Sequence, residues 1–203
     1  MNPVVYIVDD DEGLRTSLSW LLGSAGLEST AFGSAAEFLG AVDSDRPACL
    51  VLDVRMPEIG GFEVQQALSK HHGHMPIIFV SGHGDIPMSV RAMKQGAFDF
   101  MEKPYNSQVM LERIQEAVRM ATVQFDRSQK RKSLERRLEM LSPREREVLE
   151  KVVQGKSSKL IAQELNIAVK TVDIHRTNLR DKLGSSSLTE LVNEMLTHFT
   201  KPT

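Results

Sequence analysis

Three short apolar runs in this chain end on residues that can do chemistry. "VVYIV" at 4–8 runs into Asp9, Asp10, Asp11 and Glu12, "ACLVL" at 48–52 runs into Asp53, and "PIIFVS" at 76–81 ends on Ser81. A weaker run, "FDFM" at 98–101, is followed by Glu102, Lys103 and Pro104. Carboxylates gathered in one crevice repel one another unless a cation sits among them. Hard oxygen ligands at an open site suit Mg²⁺, which keeps several waters and often binds phosphate as well. A carboxylate nucleophile, a divalent cation, a hydroxyl and an ammonium converging at one place describe a phosphoryl-transfer site. Taken singly, an Asp at a strand end is more often a turn former or helix cap, and a Lys before a Pro is usually just solvated. Their recurrence at the ends of successive runs points to a shared site. Asp11 reads mainly as a helix-start residue, and Glu12 suits the positive N-terminal dipole of the helix that follows.

For these residues to meet, the runs must be adjacent parallel strands. Each is short, continuous and rich in β-branched residues, as buried parallel strands are. "STAF" at 29–32 and "FDFM" are weaker candidates for two more. Between them lie helical patterns. Leu14, Leu18, Leu21, Leu22 and Ala25 share one face; Ser34 and Glu37 make a capping-box pair. Phe62 to Leu68 and Pro87 to Gln95 fit two further helices, and another begins near Asn106. The alternation predicts an α/β fold with a doubly wound, five-stranded parallel sheet and helices on both faces. Sites in such sheets form beyond the carboxyl ends of the strands.

The 203 residues suit one large domain or two small ones, and 41% hydrophobic with 26% charged residues is ordinary for a globular protein. Charge is unevenly spread: residues 1–123 hold 9 Lys+Arg against 16 Asp+Glu, and residues 124–203 hold 16 against 11. An acidic part followed by a basic one suggests two modules with different partners, the second suited to nucleic acid. The lone Cys49 excludes an intrachain disulfide and reads as a buried thiol. No apolar run approaches the roughly 18–20 residues that span a bilayer. With no basic region ahead of the first run, no signal peptide is expected, and the expected location is the cytoplasm. "KHHGH" at 70–74 places His71, His72 and His74 together, but the spacing fits no common zinc site and a solvated helix end is expected.

Residues 119–141 are charged, lack Gly and Pro, and place Leu134, Leu138 and Leu141 at helical spacing. A solvated helical linker is favoured there over a dimerising coiled coil. From Ser142 the pattern is all helical: Ser142, Pro143 and Glu145 form a start signal, and Gly155 a stop. "SSKLIAQEL", the turn "NIA" and "VKTVDIHRTNLRDKLG" suggest a helix-turn-helix, with a fourth helix in "SLTELVNEMLTHF". On the second of the paired helices Val172, His175, Leu179 and Leu183 would face the core. Lys170, Thr171, Asp173, Arg176, Thr177 and Arg180 fall elsewhere and could meet double-stranded DNA, Asp173 serving selectivity more than affinity.

"IVDDDE", "LVLDVRMPEIGGFE", "FVSGHGD" and "FDFMEKP" resemble the flavodoxin-like receiver domain of two-component response regulators over about the first 120 residues. "LSPREREVLEKVVQGKSSKLIAQELNIAVKTVDIHRTNLRDKLG" resembles the LuxR-type DNA-binding domain, and together the two are similar to the FixJ type of regulator. The resemblance implies a receiver at 1–118, a helical linker at 119–137 and a small all-α helix-turn-helix domain at 138–203. It implies Asp53 as phosphoacceptor from a cognate sensor histidine kinase. Mg²⁺ would be held by Asp10, Asp53 and the Arg55 backbone carbonyl, with Asp9 acting through water. Ser81 and Lys103 would hold phosphoryl oxygens, Gly82 would leave room beside them, and Phe100 would move with Ser81. Arg55 and His83 flank the site, though an ordinary loop histidine is an equal reading of His83. Phosphorylation would rearrange the surface around 86–105 and promote a homodimer. DNA binding, contact with RNA polymerase and transcription activation would follow, with helix 187–197 pairing DNA-binding domains.

Two departures stand out. Family members usually cap the recognition helix with Ser or Thr followed by Pro, where this chain has Ala168 and Val169, and Leu160 stands where an acid is frequent. Two other readings compete. A haloacid-dehalogenase-like phosphatase needs a second acid two residues after its nucleophile, where Arg55 stands. A small-molecule-sensing regulator would have a more aromatic first part than Trp20, Tyr6, Tyr105 and a few Phe provide.

Overall fold

The computed structural model describes residues 2–43, 45–71, 75–82 and 86–184, with only the backbone of Lys70 and His71. The fourth helix expected at 187–199 lies outside the described residues, as do His72, His74, His83 and the side chain of His71. The chain divides into two units, Met1–Asp126 and Arg127–Thr203.

The first unit runs β1 (Val4–Val8), α1 (Glu12–Ser24), β2 (Glu28–Phe32), α2 (Ala35–Ala41), β3 (Ala48–Asp53), α3 (Gly61–His71), β4 (Ile77–Ser81), α4 (Ile86–Lys94) and β5 (Asp99–Glu102). The strands are all parallel in the order β2-β1-β3-β4-β5. Alternate residues of each strand enter opposite cores, because strand side chains have a period of two. Val4, Tyr6, Val8, Leu50, Leu52 and Phe79 pack against Phe38, Val64, Leu68 and Ala92 from α2, α3 and α4. Val5, Ile7, Val51, Ile78 and Val80 pack on the other face against Leu18 and Leu22 of α1 and against Met110 and Ile114. The central strands β1, β3 and β4 are buried throughout, whereas the edge strands β2 and β5 are half-exposed. Cys49 is buried in this sheet, and burial pushes its thiol up to about 12, which makes it inert.

Most turns follow the sequence signals. One differs: Ser34 caps α2 by accepting from Glu37 N at 3.3 Å, but Glu37 reaches back to Gly33 N rather than to Ser34. The charged segment expected as a linker is part of one helix, α5 (Ser107–Glu139). Met110, Ile114 and Ala117 bury its start in the first unit, and Leu134 buries its end in the second.

The second unit continues with α6 (Pro143–Val153), α7 (Ser158–Leu165) and α8 (Val169–Leu183). Asn166, in left-handed conformation, ends α7 and opens the turn to α8, a conformation Asn tolerates better than most residues. Leu134, Val148, Leu149, Ile161, Val172, Leu179 and Leu183 form its core. The capping box of α6 is complete, and it does more than start a helix. Glu145, only 3% exposed, accepts from Ser142 N and Ser142 Oγ at 2.9 Å each and from Lys182 Nζ of α8 at 2.7 Å. The first turn of α6 is thereby tied to the last turn of α8.

The hydrogen bond from Lys182, helped by the Ser142 amide, holds the Glu145 carboxyl at about 2, below its ordinary 4.5. A carboxyl lowered on folding stabilises the fold fully above its unfolded value and loses that contribution as pH falls toward the folded one. Denaturant unfolding should therefore show stability declining between about pH 4.5 and about pH 2. Glu145→Gln should lose this carboxylate's share of that decline and be about 1–2 kcal/mol less stable at neutral pH, Lys182 being partly in water.

Candidate functional site

β1 and β3 are neighbours, with Val8 opposite Leu52. The next residues along each strand, Asp9 and Asp53, therefore leave the sheet side by side. Oxygens of Asp9, Asp10 and Asp53 lie within 4.8 Å of one another. Asp9 and Asp53 are only 4% and 6% exposed, while Asp10 faces water. Lys103, just past β5, reaches in with Nζ 2.6 Å from Asp9 Oδ2 and 3.5 Å from Asp53 Oδ2. Ser81, the last residue of β4, is buried. Its carbonyl accepts from Lys103 N at 2.8 Å, which fixes β5's exit beside it.

Among the described residues, three carboxylates face one ammonium, an imbalance of two negative charges. Burial raises the pKa of Asp53; Lys103 opposes that shift, the Asp9 charge adds to it, and the Arg55 amide, donating to the Asp53 carboxylate, lowers it. The net shift is upward. Lys103 moves up as well: burial pulls its pKa down, but the bond to Asp9 and the charges of Asp53 and Asp9 outweigh burial. Lys103 therefore remains a cation, and the donor set matches the oxygen-rich environment of a hard divalent cation.

The backbone holds these groups in place. Asp11 is the N-cap of α1, accepting from Leu14 N at 3.1 Å, and its own amide donates to Asp9 Oδ1 at 2.9 Å. Asp11 thus serves the helix start and stands outside the cluster. Gly61, which sequence reasoning passed over, holds the other side. A Cβ there would stand 2.5 Å from the Asp53 carbonyl oxygen, so only glycine lets α3 start this close to β3. The pair "GG" at 60–61 was its only signal. Gly82 is exposed directly after Ser81, Arg55 is exposed, and Phe100 is half-buried against the core.

In the second unit Lys170, Asp173, Thr177 and Arg180 are exposed on α8, while Thr171 and Arg176 are half-buried. Thr177 Oγ1 donates to the Asp173 backbone carbonyl at 3.1 Å and accepts from Arg180 Nη2 at 3.2 Å, which ties the Thr177 and Arg180 side chains together. Val172, Leu179 and Leu183 face the core as expected. His175 is half-buried beside them, its buried Nδ1 without a hydrogen-bond partner among the described residues. Ala168 stands at the N-cap with no side-chain bond, and Leu160 and Val169 are exposed. Ile174, not among the residues expected on this face, is 53% exposed between Lys170 and Thr177. Its step of four from Lys170 was the signal.

Residues 5–115 match the family model of the response regulator receiver domain, and residues 139–195 that of the bacterial regulatory proteins of the luxR family. The chain is a response regulator. It regulates transcription through a LuxR-type helix-turn-helix, and the pairing of domains implies a histidine kinase and DNA as partners. The response regulator protein TmoT of Ectopseudomonas mendocina is 44% identical over 189 residues, covering 93% of this chain and 86% of TmoT. The transcriptional regulatory protein FixJ of Bradyrhizobium diazoefficiens is 40% identical over 188 residues, covering 93% of this chain and 92% of FixJ. Among solved structures, response regulator StyR superposes with a TM-score of 0.85 at 40% identity, covering 97% of this chain and all of StyR. Among the described residues, no helix of this regulator is long and apolar enough to cross a membrane.

The charge imbalance has a measurable consequence. Asp10→Asn removes one of the repelling carboxylates, so in chelator the variant should melt about 2–5 °C above the unsubstituted regulator. A divalent cation should raise the melting temperature of the unsubstituted protein by mass action, and that rise should be lost in Asp10→Asn. Thermal unfolding with and without cation measures both.

Proposed function

We propose that this regulator is a phosphorylation-switched transcription factor that takes a phosphoryl group from its cognate sensor histidine kinase onto Asp53. The observation that carries the reading is the meeting of Asp9, Asp10 and Asp53 with Lys103 in one crevice. A carboxylate oxygen of Asp53 attacks phosphorus, the bond to the kinase histidine breaks, and an acyl phosphate forms. Lys103, protonated and already beside Asp53, neutralises one phosphoryl oxygen. The Ser81 hydroxyl donates to another, and Gly82 leaves room for both. Asp10, Asp53 and the Arg55 carbonyl would hold Mg²⁺, with Asp9 bonded to Lys103 and acting through water. When bound, the ion supplies charge neutralisation among the carboxylates and the incoming phosphate.

The new charge on Asp53 draws Ser81 inward and frees space into which Phe100 turns, rearranging the surface around 86–105. That surface joins two copies, and the LuxR-type unit of each copy then meets one half of a DNA site. The division of labour follows the sequence: receiver at 1–118, helical linker at 119–137, DNA-binding domain at 138–203. Lys170, Arg176 and Arg180 meet phosphates or guanine, and Thr171, Asp173 and Thr177 border the bases. The dimer activates transcription through RNA polymerase in the cytoplasm.

Acetyl phosphate with Mg²⁺ should phosphorylate the chain, and Asp53→Asn should take up no phosphate. Asp10→Ala should abolish labelling, Asp9→Ala should impair it, and Asp11→Ala, whose carboxylate only caps α1, should leave it nearly intact. Equal losses at all three acids would overturn this division. Sedimentation with beryllofluoride should show the dimer.

DNA binding should weaken steeply with salt. Lys170→Ala should reduce the salt slope by about 1 and weaken all sequences alike. Ile174, an apolar group amid polar neighbours, suits a thymine methyl. Ile174→Ala should leave the salt slope unchanged and lose about 1 kcal/mol of discrimination at a single base pair.

A further inference from the structure

We propose that Arg15 is a positioning residue for the cation site, acting through the peptide that joins Asp9 to Asp10; this rests on the reading of the crevice as an Mg²⁺-dependent phosphoacceptor site. Arg15 lies one turn into α1, its amide bonded to the Asp11 carbonyl at 3.1 Å. Long side chains on a helix lie back over the preceding turn, toward the helix N-terminus. Here that direction leads to the junction of β1 and α1. Arg15 Nη1 donates to the Asp9 carbonyl oxygen at 2.7 Å. The guanidinium lies against the turn between β2 and α2: a Cβ on Gly33 would stand 3.7 Å from three of its atoms.

The consequence follows from peptide geometry. The Asp9 carbonyl shares a rigid plane with the Asp10 amide and Cα. Fixing that oxygen therefore fixes the direction in which Asp10 leaves the strand. The other end of Asp9 is held too, its amide donating to the Phe32 carbonyl at 3.3 Å. Its carboxylate is fixed by the Asp11 amide at 2.9 Å and by Lys103 at 2.6 Å. Asp10 is the exposed member of the three carboxylates, so burial does little to aim it. The clamp on the preceding carbonyl supplies that aim. A guanidinium suits the task because its planar fork can donate to the carbonyl while lying against the neighbouring backbone.

Arg15 makes no contact with phosphate in this scheme, so its loss should act on the cation and not on the chemical step. Partners that orient metal ligands typically contribute 10–100-fold in metal affinity. The full-length chain should be titrated with MgCl₂ and followed by Trp20 fluorescence and by the magnesium-induced rise in melting temperature. Arg15→Met, which keeps the stem and removes the donors, should bind Mg²⁺ about tenfold more weakly. Its acetyl phosphate labelling should fall at low Mg²⁺ and return to within about twofold at saturating Mg²⁺. Arg15→Lys, which keeps the charge and a single donor nitrogen in place of the guanidinium fork, should be weakened by only about threefold. If Arg15→Met does not fold, the Arg15→Lys titration decides. Unchanged affinity in the folded variant overturns the proposal, and so does tighter binding, which would make Arg15 a competing charge and not a clamp. Absence of any Mg²⁺ response in the unsubstituted protein would overturn the phosphoacceptor reading and this inference together, an outcome distinct from the other two.

Discussion

The repulsion among Asp9, Asp10 and Asp53 is the constraint on which the receiver unit is organised. Bringing three carboxylates within 4.8 Å costs free energy that the sheet core must offset. The buried strands β1, β3 and β4 supply it: Phe79, Leu50, Leu52, Ile7 and Ile78 are almost wholly removed from water. Loss of such a side chain typically costs several kcal/mol, more than a single partly solvated charge pair contributes. The site is therefore bearable because it sits at the end of the best-packed strands. It is also poised: among the described residues Lys103 offsets one charge and leaves two, so the crevice favours added positive charge.

The same crevice shows how much of the work falls to backbone. Asp11 caps a helix and donates its amide to Asp9, and the Arg55 amide faces Asp53. Gly61 lets α3 begin against the Asp53 carbonyl. Each arrangement turns a chain direction into a fixed carboxylate position, and none adds a charge to the cluster.

What was legible in the sequence follows from these two facts. The central strands read clearly because strands buried on both faces become continuous apolar runs. "STAF" and "FDFM" read weakly because β2 and β5 are edge strands with half their surface in water. Asp9, Asp10, Asp53, Ser81 and Lys103 could be named because strand ends mark the site of any doubly wound sheet. Gly61 and the Arg55 amide were not legible, since their roles depend on close backbone approach, which residue type does not encode. Arg15 carries no signal in residue type or spacing, and Glu145 reads only as a helix-start signal. Both prove to bridge elements that are distant or differently directed. Ile174 is apolar and so does not stand out beside polar Lys170, Asp173 and Thr177, although helical spacing puts it in their midst.

The recognition helix carries the same lesson to the second unit. Without a side-chain cap at Ala168, α8 forgoes about 1 kcal/mol at its start. Its far end is fastened instead. Lys182 bonds Glu145, Arg137 of α5 donates to the Leu183 carbonyl, and Gly184 closes the helix in left-handed conformation. The start of α8 is held by packing: Val172, in its first turn, is wholly buried in the core of the second unit. The amides of Thr171 and Val172 both donate to the Ala168 carbonyl, at 2.9 and 3.2 Å. Backbone bonds and one buried side chain thus do at this end what a capping hydroxyl does at α6 and α7.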